Sequence, residues 1–533
     1  MNKLSGTKFF LLLAAGYILL EFLSWIGYNQ PILSTGLFFV VVLSVMILTW
    51  FRPGLGVIAV LGELFVGSQG GYMLALGSAN IDGAILSLRM GLFLAVFGVW
   101  LTRTVLIIFN NFYQKRLGKT SNSNNYSESQ RLVWLTEMRA LGLLWPYLVL
   151  LSVFVLGAGR GIVAGHGFNN VFFDANGYAF FALFPAFIEG LQDLRARRWL
   201  WYVLAAAITI SVFKALAVLY FFAHRMFYIA ANMYVWVRDT RVGEITLTLA
   251  DFHRVFFQSH LFVLAGLFVV FLLAVQAKLF RGLQFWLPFI LFAWGLVAML
   301  LGLSRSYWFG GFFGFLMMIA LLIWTRCGQS LWKKMLIIAP AGLLLATGIV
   351  AFTYAFPYPD KTGEMSLTAL MGRRAFSLTG EAAANSRWEL LAALWPIGFE
   401  HPVFGSGLGQ EVTYTTSDPR LIADMPDAQY TTYAFEWGYH DLWIKFGLIG
   451  LLAYSWLIAA ILKPYLVALK LSRENKNLQN KKNVLIIIGI TAGTVAMLVT
   501  NLFSPYLNHP LGIGLLMAVA ALKISDSFWS ESV

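Results

Sequence analysis

Apolar runs recur along the whole chain, each closed by a short polar or basic stretch. Taking runs of roughly 17 to 25 residues as membrane spans gives about fourteen. They are residues 9–25, 33–50, 55–76, 85–108, 141–156, 171–191, 200–222, 261–280, 285–303, 307–324, 335–354, 440–462, 484–501 and 511–524. Two intervals between spans are long. The first, 222–260, mixes aromatics with arginines and reads as interfacial or re-entrant helices rather than a span. The second, 355–438, is the largest extramembrane piece and separates the eleventh span from the twelfth.

This pattern predicts an all-α fold: a single multi-pass domain over residues 1–533, built as a polytopic bundle of about 12–14 transmembrane helices with one large outer loop. Composition agrees. Hydrophobic residues make up 59% and charged residues 12% of 533, and mean hydropathy is +0.73, which excludes a soluble globular chain. The first apolar run follows Lys3 and Lys8 as a signal peptide would. No small-residue cleavage site follows it, so it reads as a retained helix. Residues 119–130, rich in Ser and Asn, read as a flexible linker. The lone Cys327 excludes an intrachain disulfide and a thiolate metal cluster.

Charge sets the orientation. With the amino terminus inside, roughly two thirds of Lys and Arg fall in the inside loops, as the positive-inside rule requires. Those loops hold Arg52, then Lys115 to Arg131, Arg195 to Arg198, Lys278 and Arg281, Arg326 to Lys334, and Lys463 to Lys482. The expectation is a cytoplasmic-membrane protein with both termini cytoplasmic. The formal charge of +13 is then topogenic and carries no argument for nucleic acid.

The basic residues left outside run against that rule and are almost all arginine: Arg89, Arg160, Arg225, Arg238, Arg241, Arg254, Arg305, Lys361, Arg373, Arg374, Arg387 and Arg420. Guanidinium makes bidentate bonds to phosphate and stays charged when partly buried, so the bias points to an anionic ligand; contact with lipid headgroups is the plainer alternative. Arg305 stands at a helix end in SRSYWFGG. Taking an Arg into the bilayer costs about 2.5 to 3.5 kcal/mol. A phosphate at 4 Å recovers about 4 kcal/mol at an effective dielectric of 20.

Four further features carry candidate chemistry. NSRWELLAALW, with Arg387, reads as a short helix capped by Asn385 or Ser386. FGSGLG, residues 404–409, reads as a turn that ends a helix or lets amides approach an anion. Glu436 and His440 stand four apart at the start of the twelfth span, which puts both on one helical face and suits a general base; a helix-start carboxylate beside an interfacial His is the alternative. Lys214 and Lys445 lie within apolar spans and need buried partners or a pathway.

As an ordered set, SRSYWFGG, then RWELLAALWPIGFEHPVFGSGLG, then EWGYHDLWIKFGLIGLLAY resembles the O-antigen ligase and O-antigen polymerase-like membrane glycosyltransferases, over residues 285–462. The resemblance implies a GT-C-like bundle in which two outer arginines hold the diphosphate of an undecaprenyl-diphosphate-linked glycan. By position these are Arg305 and Arg387, with Arg254, Arg241, Arg373 and Arg374 as possible helpers. The family histidine that activates the acceptor hydroxyl lies about three helical turns before the Gly equivalent to Gly447, which lands on Glu436, whereas His440 is about two turns before it. The base is therefore Glu436, His440 or the two together. No cofactor and no metal are expected, since residues 26–32 hold no acid and Asp418, Asp424 and Asp427 read as loop acids.

The competing expectations are a transporter or flippase for a lipid-linked anionic glycan, and a silent scaffold in envelope assembly. A transporter would show repeats and broken helices near the midplane, and no repeat is visible in the sequence. The partners implied are the lipid-linked donor, a glycan or lipid-glycan acceptor, and membrane lipids. Ligase and polymerase share the donor and differ only in the acceptor.

Overall fold

The computed structural model describes residues 6–67, 74–76, 86–116, 132–224, 226–248, 252–326, 331–360, 382–418, 422, 427–474 and 481–522. Among these, eleven helices are long and apolar enough to cross a membrane, and three shorter apolar helices join them. Each of the apolar runs read from the sequence falls on one of these helices.

The chain begins with α1 (Gly6–Asn29), α2 (Pro31–Phe51), α3 (Pro53–Val66) and α4 (Leu88–Arg116). After the short α5 (Val133–Ala140) come α6 (Leu144–Val163) and α7 (Phe168–Ala179), and α7 continues through a tight turn at Phe180–Leu183 into α8 (Phe184–Gly190). Then follow α9 (Leu194–Ala223), α10 (Phe227–Asp239), α11 (His260–Gln276), α12 (Leu283–Gly302), α13 (Arg305–Trp324) and α14 (Trp332–Ala355). The last four are α15 (Ala382–Glu400), α16 (Gly438–Glu474), α17 (Lys481–Thr500) and α18 (Pro510–Ala521).

Lipid tails are as apolar as a protein core, so burial here follows packing rather than polarity. Helix α17 is 72% buried over its apolar window and α1 only 11%, which separates a central layer from a lipid-facing shell. Most residues of α3, α11 and α18 are also buried. Small residues let the central helices touch. A Cβ added to Gly493 of α17 would stand 2.4 Å from the Ala265 carbonyl oxygen of α11. Where α13 meets α17, a Cβ at Gly310 would stand 2.1 Å from Thr500 Oγ1.

The loops sort into two faces. On one, Gly54 abuts Gly190 and Ala196, Lys334 Nζ donates to the Ala277 carbonyl at 2.7 Å, and the Tyr465 hydroxyl donates to the Val519 carbonyl at 2.6 Å. This basic face gathers the loops rich in Lys and Arg. The opposite, loop face carries the described residues of 382–437 and their neighbours: the Leu408 amide donates to the Gly157 carbonyl at 3.0 Å, and Asn508 Nδ2 donates to Asp441 at 2.9 Å.

Two expectations change in detail. The run 55–76 ends its helix at Val66, where Glu63 in the last turn is held by Arg89 at 2.8 Å. Segment 222–260 holds one short helix, α10, as expected of a non-spanning segment, but continues as an antiparallel hairpin, β3 (Gly243–Leu247) with β4 (His253–Phe257), where further helix was expected. Glu244, Ile245, Thr246 and Leu247 alternate polar with apolar, the period of a strand. The hairpin puts Val255 and Phe257 into the core.

Candidate functional site

The described residues of 382–447 form a lobe on the loop face, pinned by a small apolar cluster of Leu390, Leu394, Val412, Phe435, Trp437 and Ile444. Helix α15 supplies the two leucines. A hairpin of β5 (Val412–Thr415) and β6 (Gln429–Thr432) supplies Val412. The expected cap at Asn385 or Ser386 does not form, because the helix starts earlier, at Ala382. Ser386 Oγ lies instead 2.8 Å from Thr416 Oγ1, and Glu389 accepts from the Ser417 amide at 2.9 Å, so this turn of α15 docks the hairpin.

Arg387 and Glu436 meet. The Arg387 Nε donates to Glu436 Oε2, and both side chains are about half exposed. Trp437 locks the same junction, its Nε1 donating to the Arg387 carbonyl at 2.8 Å while its ring lies 5.2 Å from that of Trp388. Glu436 and His440 do not share a helical face. Helix α16 opens at Gly438, its first turn marked by the Asp441 amide donating to the Trp437 carbonyl at 2.8 Å, and Glu436 precedes it. The carboxylate contacts Arg387 and the imidazole lies against Trp395, about two turns further along α15.

His440 is partly buried among rings. Its centroid is 5.0 Å from Trp395, 6.1 Å from Trp437 and 6.4 Å from Trp443, and Phe399 stacks on Trp395 at 5.8 Å. No hydrogen-bond partner for its ring nitrogens is found among the described residues. Trp388, Trp395 and Phe399 expose much of their surface, so α15 and the start of α16 present an aromatic wall with one imidazole in it.

Arg305 opens α13 and is partly buried. A chain of rings connects its helix to the lobe. Phe309, one turn on, lies 5.4 Å from Phe503, and Phe503 lies 5.5 Å from Trp437. Arg254 reaches the adjoining end of α12, donating from Nε to the Gly302 carbonyl at 2.7 Å and from Nη1 to Glu244 at 3.1 Å. Arg241 is exposed at the turn before β3, with φ of 53°. Burial raises the pKa of the Tyr433 phenol, Asp174 adds to the rise, and the charges of Lys445 and Arg241 oppose it, which puts Arg241 within electrostatic reach of the lobe. Arg373 and Arg374 lie outside the described residues, as do Arg225, Lys361 and Arg420.

Several loop-face arginines have carboxylate partners: Arg89 with Glu63, Arg238 with Asp239, Arg254 with Glu244 and Arg387 with Glu436. Part of the arginine bias therefore serves ion pairs within the protein. The Arg89 pair is buried on both sides and structural. The Arg387 pair is exposed, and exposed pairs contribute about 0.2 to 1 kcal/mol, so a stronger anion can displace Glu436.

The turn at 404–409 is a strap. Its amides are taken: Ser406 donates to the Ile444 carbonyl at 2.6 Å, Gly407 to Lys445 at 3.2 Å, and Gly409 to the Asp174 carboxylate at 2.8 Å. Those carbonyls are released because α16 breaks at Gly447, where φ is 67° and ψ −166°. Non-helical backbone at a span is tolerated only where protein covers it. Glycine is required on both sides, since a Cβ at Gly447 would stand 2.2 Å from the Val403 carbonyl oxygen and one at Gly405 2.5 Å from the backbone of Lys445. The amides of Gly405, Ser406, Gly407, Leu408 and Gly409 are thus all engaged within the protein.

Beneath it lies a group that sequence reasoning did not assemble. Lys445 Nζ, fully buried, is 2.7 Å from Asp174 Oδ1 and 2.6 Å from Asp441 Oδ1. Asn508 Nδ2 donates to Asp441 Oδ2 at 2.9 Å. The other intramembrane lysine, Lys214, bonds Glu21 at 2.7 Å. The signal was present: acidic residues are as rare in apolar spans as basic ones, and Glu21, Glu63, Asp174 and Asp441 are the partners the lysines and Arg89 needed.

No family model matches this chain, and no curated protein matches it.

Proposed function

We propose that the loop face carries a membrane glycosyltransferase site that moves a glycan from an undecaprenyl-diphosphate-linked donor to an acceptor hydroxyl, in the manner of O-antigen ligases and polymerases and without a metal. The proposed setting is the outer face of the cytoplasmic membrane, with both termini inside, in keeping with the basic loops gathered on the opposite face. The observation that carries the reading is the convergence of an exchangeable Arg387–Glu436 pair, a half-buried His440 and the exposed Trp388 and Trp395 within one lobe.

The residues divide the reaction as follows. His440 takes the proton of the acceptor hydroxyl, for which a neutral imidazole without a hydrogen-bond partner among the described residues is suited. The acceptor oxygen forms a bond to the anomeric carbon as the bond from that carbon to the diphosphate oxygen breaks. The departing lipid diphosphate keeps the electron pair. Arg387 and Arg305 stabilise the developing charge, with Arg254 and Arg241 nearby, by electrostatic preorganisation. Glu436 holds Arg387 until the donor arrives and then yields it, since guanidinium bonds to phosphate are bidentate and charge-assisted. The apolar faces of sugar rings lie against Trp395 and Trp443.

The break at Gly447 and the buried charges beneath it favour a second reading, transport of the lipid-linked anion, because broken helices mark transporter sites. That reading is the weaker one here: the carbonyls freed by the break bind the strap, and the buried lysine is already satisfied.

The two separate in vesicles holding the purified full chain, a lipid-diphosphate glycan donor and an acceptor glycan. Transfer predicts free lipid diphosphate and an extended acceptor, both reduced by Arg387→Gln. Donor that crosses the bilayer intact, with no lipid diphosphate released, overturns the enzymatic reading.

A further inference from the structure

A cleft of about 310 Å³ opens between α9, α11, α12 and α17, in the half of the bundle near the basic face and away from the lobe described above. Apart from Lys482 and the indole of Trp201, every side chain lining it is aliphatic or glycine. Lys482 opens α17 and is exposed, and Trp201 lies in the first third of α9, so the cation and the indole stand at the mouth. The walls run along α11 from Leu273 back to Val263, ten residues, or about 15 Å of helix. Gly266 and Gly295 line the inner part. A Cβ at Gly266 would already stand 3.2 Å from Ile208 Cδ1, and one at Gly295 2.7 Å from Leu267 Cδ2.

A narrow hydrocarbon slot, an indole at its rim and a lysine on its lip match the three zones of one lipid: tail, interface and headgroup. The charge selects among lipids, since a lysine at the surface favours an anionic headgroup. We propose that this cleft is a binding site for one acyl chain of an anionic glycerophospholipid of the leaflet at the basic face, with its phosphate on Lys482. The site is separate from the lobe, and bound lipid there ties α9, α11, α12 and α17 together at the end of the bundle opposite the proposed chemistry.

The test is native mass spectrometry of the detergent-purified full chain with phosphatidylglycerol or phosphatidylcholine of the same chain length. The wild type is expected to retain one phosphatidylglycerol about fivefold more strongly than phosphatidylcholine, the effect of one surface lysine. Lys482→Gln, at an exposed position, removes that preference, so that phosphatidylglycerol is retained no more strongly than phosphatidylcholine. Ala205→Phe, which fills the cleft from the α9 wall, lowers retention of both lipids. Val270→Phe does the same from the α11 wall if the first variant does not fold. Equal retention of the two lipids by the wild type overturns the headgroup assignment. Retention unchanged by Ala205→Phe or Val270→Phe overturns the cleft itself, as does a single bound polyprenyl phosphate or a co-purifying helix in place of phospholipid.

Discussion

Two groups of charged residues come together in sequence between Glu436 and Lys445 and behave in opposite ways. Asp174, Asp441 and Lys445 are buried under the glycine strap, with Lys445 bonded on two sides and Asn508 bonded to Asp441. Arg387 and Glu436 share one exposed contact, beside an imidazole held only by rings. A satisfied, buried network fixes structure, and a half-exposed pair with an alternative partner is free to do chemistry. Asp441 follows His440 directly, so the first group anchors the helix turn on which the second depends.

If this division holds, the largest effect on folding comes from the buried group. Lys445→Met leaves two carboxylates in the interior without their cation and is expected to destabilise the chain by about 3 to 5 kcal/mol, read as a large fall in unfolding temperature in detergent. Adding Asp441→Asn to that variant restores part of the loss. Next comes the strap: Gly447→Ala combines a left-handed φ with a Cβ 2.2 Å from the Val403 carbonyl oxygen, and is expected to cost roughly 2 kcal/mol by the same assay. The exposed pair gives the smallest stability effect. Glu436→Gln is expected to shift unfolding by less than about 1 kcal/mol while changing the dependence of turnover on donor concentration. A Glu436→Gln variant as unstable as Lys445→Met would erase the distinction.

Hydropathy alone was enough to read the spans, because membrane insertion sums over about 20 residues and tolerates local error. It could not place the end of the helix within residues 55–76, which stops at Val66 with Gly67 extended. The hairpin at 243–257 carried a period-two signal that the arginines around it obscured. Within the site, Arg305 at a helix start and Arg387 on a helix follow from local sequence. The shared face of Glu436 and His440 did not survive, since it assumed a helix running through residues that lie before Gly438. Counting three turns back from Gly447 fails for the same reason: the helix before the break begins at Gly438, so only His440 lies on it. The Asp174 contact to Lys445 joins residues 271 positions apart and was beyond any local pattern.

The most direct test of the central claim is turnover by His440→Ala with the purified full chain, a lipid-diphosphate glycan donor and an acceptor glycan, alongside its unfolding temperature. Loss of a general base is expected to lower turnover by about 10²- to 10⁴-fold with the unfolding temperature close to that of the wild type. Unchanged turnover in a folded His440→Ala variant would contradict the account.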